Sequence, residues 1–154
     1  MKKLLSILLA LALVLSLAGC LADTFQTPVD PTEATGAATL DKNGRYTTKE
    51  DVALYIHLYG CLPGNFLTKA QARALGWRSG SLEPYAPGCC IGGDTFQNRE
   101  GLLPKAPGRT YQECDIDTMG GGSRGAKRIV FSNDGLVYYT DDHYASFTLL
   151  YGEP

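Results

Sequence analysis

The sequence predicts an α+β fold: N-terminal helices packed on one face of a C-terminal antiparallel sheet. Three observations predict it. Two capped helical segments come early, between Thr47 and Gly76. From Ile91 onward the pattern changes to short strands, and Thr110–Ile116 alternates residue by residue. Arg128–Ser132 and Leu136–Thr140 flank Asn133-Asp134-Gly135, a tight-turn sequence that joins antiparallel strands. Helices first and consecutive strands after give two segregated layers rather than a parallel α/β sheet.

The first 19 residues read as a lipoprotein-type signal peptide. Met1-Lys2-Lys3 is a charged start, and Leu4–Leu17 is an apolar run too short for a comfortable membrane span. The run ends in Leu17-Ala18-Gly19-Cys20, which resembles a bacterial lipobox, so Cys20 is expected to be lipidated and to become the new N-terminus. Ordinary secretion with cleavage after Ala22 is the alternative, which would release the protein outside the cell. One acyl chain anchors marginally and two hold stably. A diacylglyceryl Cys20 would tether the domain to the extracytoplasmic face of the membrane. Residues 20–45, rich in Thr, Ala and Pro, read as a flexible linker. Residues 46–154 form the folded domain, close to the usual single-core size.

The formal charge is −2, and losing Lys2 and Lys3 with the signal makes it −4. That argues against a tight, non-specific nucleic-acid binder. Any positive field must be local to a site. Cys61, Cys89, Cys90 and Cys114 remain after Cys20. Outside the cytoplasm disulfides persist, but four cysteines allow three pairings and spacing does not choose among them. Adjacent Cys89 and Cys90 would pair with each other only in a strained ring, and they lack the two-residue spacing of zinc knuckles, so no metal is expected. Cys114 falls on the core side of its strand and is a candidate buried free thiol.

The first helix starts at Thr47 or Thr48. Thr47 and Glu50 have capping-box spacing, and Asp51 adds negative charge to the first turn. Val52, Tyr55, Ile56 and Tyr59 make one buried stripe, His57 lies off it, and Gly60 stops the helix. Thr68 caps the second helix with Gln71 three residues on, and Gly76 ends it. Lys69 at the first helical position opposes the helix dipole, which marks it as a candidate functional residue. Ser81–Ala86 has room for one short helical turn before Pro87. On the alternating strand, Tyr111, Glu113 and Asp115 share a face opposite Thr110, Gln112, Cys114 and Ile116. The glycine-rich loop 119–125 lacks the Gly-Lys-Ser/Thr ending of a nucleotide-binding P-loop. Ser146–Tyr151 closes the sheet.

Metal-free RNA cleavage needs a base for the 2′-hydroxyl proton, an acid for the departing 5′-oxygen, and cations around the phosphoryl oxygens. Glu113 and His143 supply the first two functions if the sheet brings strand 110–116 beside loop 141–144. Lys69, Arg99, Arg124 and Arg128 supply the cations, and an Arg fork matches two phosphate oxygens. The competing reading makes Glu113 half of a structural ion pair and His143 a surface loop residue.

Five stretches in order carry a resemblance: Leu62–Lys69, Ala74-Leu75-Gly76-Trp77, Ala86–Gly101 ending in Asn98-Arg99-Glu100-Gly101, Gly108–Ile116, and Thr140-Asp141-Asp142-His143-Tyr144. From about Tyr46 to Tyr151 the chain resembles the barnase-like, guanyl-preferring secreted bacterial ribonucleases. The resemblance implies Glu113 as general base and His143 as general acid, with Lys69, Arg99, Arg124 and Arg128 at the phosphate. It places Glu100 on the N1–H and N2 edge of guanine, backbone N–H groups of Gln97, Asn98 and Arg99 near O6, and Tyr144 against the base. The loop before Arg124 is one residue longer than in the type member, and Gln97 replaces a smaller residue. The implied activity is endonucleolytic cleavage of single-stranded RNA 3′ to guanosine through a 2′,3′-cyclic phosphate, without a cofactor, by a monomer. A barstar-like inhibitor is an implied partner if the enzyme is a toxin. Scavenging of external RNA is the other implied role. A silent RNA- or protein-binding module on the same fold is the alternative from a different class.

Overall fold

The computed structural model describes residues 39–154. The signal peptide, Cys20 and most of the linker lie outside the described residues. Two helices and six strands follow: α1 (Lys49–Tyr59), β1 (Phe66–Leu67), α2 (Lys69–Ala74), β2 (Cys90–Phe96), β3 (Tyr111–Asp115), β4 (Arg128–Ser132), β5 (Val137–Thr140) and β6 (Thr148–Tyr151). The strands lie side by side in chain order in one sheet. β2 to β6 pair antiparallel, as expected. The short β1 pairs parallel to β2, a contact between two residue pairs across α2 that no local pattern announces.

α1 is capped one residue later than the Thr47–Glu50 spacing suggests. Thr48 accepts from the Asp51 backbone N–H and donates to the Asp51 carboxylate at 2.8 Å. Thr47 is occupied elsewhere: its hydroxyl accepts from the Thr118 and Met119 N–H groups, tying α1 to the loop after β3. Gly60 ends α1 in the left-handed conformation. Val52, Tyr55 and Ile56 are buried as the stripe predicts, whereas Tyr59 is half-buried and donates its hydroxyl to Leu40. The Thr68–Gln71 capping box of α2 forms in full. Ser81–Ala86 makes only a single turn, with Tyr85 and Ala86 N–H both closing on Leu82, and does not continue as helix.

The sheet has two covered faces. α1 packs on one, where Val52, Ala53 and Ile56 meet Cys114, Ile116, Ile129, Phe131 and Val137. On the other, Tyr111, Val130 and Tyr138 are covered by Leu103 and Phe147 from loops. Strand alternation sends Ile129 and Phe131 one way and Val130 the other. A third cluster of Ala72, Trp77, Leu82 and Ile91 anchors α2 beside β2. Each buried aliphatic side chain contributes roughly 1.5–3 kcal/mol.

Among the described residues the four cysteines Cys61, Cys89, Cys90 and Cys114 are free thiols. Cys90 and Cys114 are buried, and burial pushes both thiols up, Cys114 well above its ordinary value. The close packing around Cys114 explains Gly92: a Cβ there would lie 2.6 Å from the Cys114 Cβ.

Candidate active site

A bulge in β2 builds the site. Gly92 pairs with Cys114, but the next pairing is Asp94 with Glu113, so one residue is extra. Gly93, at φ +94°, takes the left-handed conformation that absorbs it. Without the bulge, Asp94 would share the face of Gly92 and point toward α1. With it, Asp94 stands beside Glu113 on the opposite face.

Lys69 ties the two acids together. Its backbone N–H donates to the Asp94 carboxylate at 2.9 Å, and its ammonium donates to Glu113 Oε1 at 2.6 Å. A lysine at the start of α2, unfavourable beside the helix dipole, is thereby held by two carboxylates. Glu113 Oε2 accepts a second bond, from the Tyr144 hydroxyl at 2.5 Å. Burial pushes the Glu113 carboxyl up, but the bonds from Lys69 and Tyr144 and the nearby charges of Lys69 and Arg128 outweigh it and hold it below its ordinary value. The Tyr144 hydroxyl moves the other way, raised by burial and by donating to Glu113. At neutral pH the pair is a carboxylate and a neutral phenol.

Asp115, two residues along the same face of β3, fixes the arginines. Arg124 donates Nε to Oδ2 at 2.6 Å and a terminal nitrogen to Oδ1 at 2.8 Å, a two-pronged contact. Arg128 Nε lies 2.9 Å from Asp115 Oδ1 as an ion pair, not aligned for a hydrogen bond, while its Nη1 donates to the Arg124 and Lys127 carbonyls. Arg128 is buried and Arg124 part-exposed. Arg124 therefore reaches the surface, and Arg128 lies buried against the same carboxylate.

The loop after β5 brings His143 to this surface. Thr140 donates to Asp142 and accepts the Tyr144 N–H at 3.0 Å. Asp142 also accepts the Ser146 hydroxyl at 2.6 Å and the Ser146 N–H at 3.0 Å, and these bonds pull its carboxyl down to about 2. The staples hold two consecutive non-glycine residues left-handed, His143 at φ +57° and Tyr144 at φ +75°. Such backbone strain costs of order 1–3 kcal/mol per residue and concentrates at functional sites. His143 is exposed, its ring 4.8 Å from that of Tyr144.

Phe96, at the end of β2, packs 5.3 Å from Tyr144, which sets the following loop beside the His143 loop. In that loop Asn98 is buried. Its side chain donates to the Leu103 carbonyl and accepts the Leu103 N–H, closing the loop on itself. Asn98 therefore acts as a brace, with its side chain unavailable to a ligand. Gln97, Arg99 and Glu100 are exposed on the loop surface.

Lys69, Glu113, Tyr144, Arg124 and Arg128 thus form one connected group. His143 is attached through Tyr144, and the 97–100 loop through Phe96. Sequence reasoning overlooked Asp94 and Asp115. Asp115 had a signal, since it shares the Glu113 face and two arginines follow it. Asp94 had none, because its direction depends on the bulge.

The chain matches the family model described as ribonuclease over residues 49–151. It is 46% identical over 131 residues to a protein named "Ribonuclease" from Bacillus intermedius, covering 80% of each chain. A "Ribonuclease" from Heyndrickxia coagulans is 53% identical over 102 residues, 65% of this chain and 93% of that one. "Guanyl-specific ribonuclease St" from Saccharopolyspora erythraea is 46% identical over 57 residues, 37% of this chain and 56% of that one.

Proposed function

Because the chain belongs to the ribonuclease family, we propose that it is a guanyl-preferring endoribonuclease that cleaves single-stranded RNA 3′ to guanosine by metal-independent transesterification. The observation that carries this reading is the ionised Glu113 carboxylate held between the Lys69 ammonium and the Tyr144 hydroxyl. A carboxylate in that state takes a proton. Relatives named guanyl-specific support the base preference.

Glu113 removes the 2′-hydroxyl proton as that oxygen attacks phosphorus. The bond to the 5′-oxygen breaks, His143 protonates it, and a 2′,3′-cyclic phosphate remains. Protonation of Glu113 removes the charge that holds Lys69, so the ammonium turns to the phosphoryl oxygens as their charge grows. Arg124, oriented by Asp115, adds a fork on the same oxygens. In the slower second step His143 activates water and Glu113 returns the proton to the 2′-oxygen. Glu100 accepts the N1–H and N2 amino bonds of guanine, and backbone N–H groups of residues 97–99 reach O6. Adenine lacks that donor pair, which would leave Glu100 unmatched. The leader and Cys20 support tethering of this domain at an extracytoplasmic membrane face.

The test is digestion in EDTA of short RNAs carrying one G or one A. Cleavage only after G is expected. Cleavage after both bases at equal rates, or a requirement for added metal, would contradict the reading.

The pH profile gives a second expectation. The general base must be ionised in the free enzyme, and the Glu113 carboxyl is depressed. The acid limb of kcat/KM for a dinucleotide should therefore fall below the ordinary glutamate value of about 4.3. Activity should persist as pH drops to that value and vanish beneath it. A limb above about 5 would assign the base to another group.

A further inference from the structure

We infer that Glu83 is a positioning residue for Arg124: it clamps the glycine-rich loop that carries this arginine and so fixes the guanidinium at the scissile phosphate. The inference rests on the ribonuclease reading above, in which Arg124 meets the phosphoryl oxygens. Between Met119 and Gly125 four of seven residues are glycine, a run whose backbone has no preferred course of its own. The loop is nevertheless held. Glu83 Oε2 accepts the Gly120 N–H at 3.2 Å and the Gly88 N–H at 2.9 Å, which ties the loop to the turn before β2. Ser81 donates its hydroxyl to the Gly121 carbonyl and accepts the Glu83 N–H. Only Gly122 and Ser123, both exposed, separate these bonds from Arg124.

The clamp stands on a packed platform. Leu82, between Ser81 and Glu83, is buried in the cluster of Ala72, Trp77 and Ile91. The Trp77 indole N–H donates to the Gly80 carbonyl at 3.1 Å. The same Trp77 ring carries the Arg124 guanidinium at 5.8 Å. The platform therefore meets Arg124 at its head and grips its loop at the base. Downstream the chain has another hold, because Arg128 Nη1 donates to the Arg124 carbonyl at 3.1 Å. Glu83 supplies the fixed point on the upstream side. Both N–H groups meet one oxygen, so the role asks for an acceptor at that place rather than for a charge. Without it, Arg124 keeps Asp115 as partner, but its backbone is free to drift. A displacement of about 1 Å at a catalytic group can cost about 10²-fold in rate.

The test is a double-mutant cycle on a guanosine dinucleotide. Glu83→Ala should lower kcat by between about tenfold and about hundredfold with KM little changed, because the Arg124 fork acts as phosphoryl charge grows. Glu83→Gln, which keeps an acceptor oxygen for both N–H groups, should restore kcat to within about threefold of wild type. In an Arg124→Ala background Glu83→Ala should cost less than about twofold more, since the arginine it serves is gone. Ser81→Ala should follow the same pattern more weakly, and it decides the outcome if Glu83→Ala does not fold. Equal losses in both backgrounds, a loss confined to KM, or a glutamine variant no better than alanine would overturn the inference. Proton NMR of the Arg124 Nε–H, which donates to Asp115, reads the clamp without turnover. Its exchange with solvent should quicken about fivefold or more in Glu83→Ala, the weight of one hydrogen bond. If wild type does not cleave, or Arg124→Ala costs nothing, the ribonuclease reading or its use of Arg124 fails by itself, and the clamp on Arg124 stands only if that exchange quickens. Unchanged exchange overturns it.

Discussion

Glu113→Gln is expected to lower kcat on a guanosine dinucleotide by about 10²–10⁴, the usual contribution of a positioned general base. Glutamine keeps the size of the side chain; its amide oxygen can still accept from the Lys69 ammonium, while its NH2 replaces the oxygen that now accepts from Tyr144 and can donate to that hydroxyl instead. What it loses is basicity. The fold and KM should change little, because no core contact is removed, and the loss should appear in kcat. Thermal melting within a few degrees of wild type would confirm that the variant is folded. A loss below about tenfold would mean that another group takes the proton.

Asp115→Ala should give the largest stability effect. Asp115 is 1% exposed, and Arg128 against it is 2% exposed. Removing the carboxylate leaves Arg128 buried without its counter-charge and frees Arg124 from its two-pronged hold. Breaking a buried ion pair on one side costs about 3–5 kcal/mol. Against a usual total of 5–15 kcal/mol for a small domain, that is a large fraction. Calorimetry should show the midpoint falling by more than about 10 °C. Replacing Asp134, whose bridge to Arg109 is 41% exposed on the acid side, should cost far less. Similar losses for the two variants would contradict this ranking.

Local signals in the sequence reach far into this fold. The Thr68–Gln71 capping box, the Asn133-Asp134-Gly135 turn and the alternation placing Glu113 opposite Cys114 all act within a few residues of chain, and all appear as read. What escaped depends on distant partners. Thr47 reads as a cap until the Thr118 and Met119 N–H groups, over 70 residues away, are seen to claim its hydroxyl. The β1–β2 pairing is too short to leave a pattern. Asp94 reaches the site only through a bulge, and a bulge reverses the face that alternation assigns. The cysteines could be counted but not placed, since pairing depends on three-dimensional distance. Grouping of the site residues was legible where a residue type was unusual for its setting, as with Lys69 at a helix start, which the fold sets against Glu113. Asn98 shows the limit: the resemblance assigns its backbone N–H to the base, and nothing in the sequence announces that its buried side chain closes the loop on Leu103.

The most direct measurement follows the RNA ends. Wild type, Glu113→Gln and His143→Ala, each freed of metals, would be incubated with a single-G oligonucleotide, and the products followed by phosphorus NMR. The expected result for wild type is a 2′,3′-cyclic phosphate on the guanosine that rises first and then decays to a 3′-phosphate, with both variants slowed at least about hundredfold. A 5′-phosphate product, or unchanged cleavage in either variant, would contradict the assignment of Glu113 and His143 as the base and acid of transesterification.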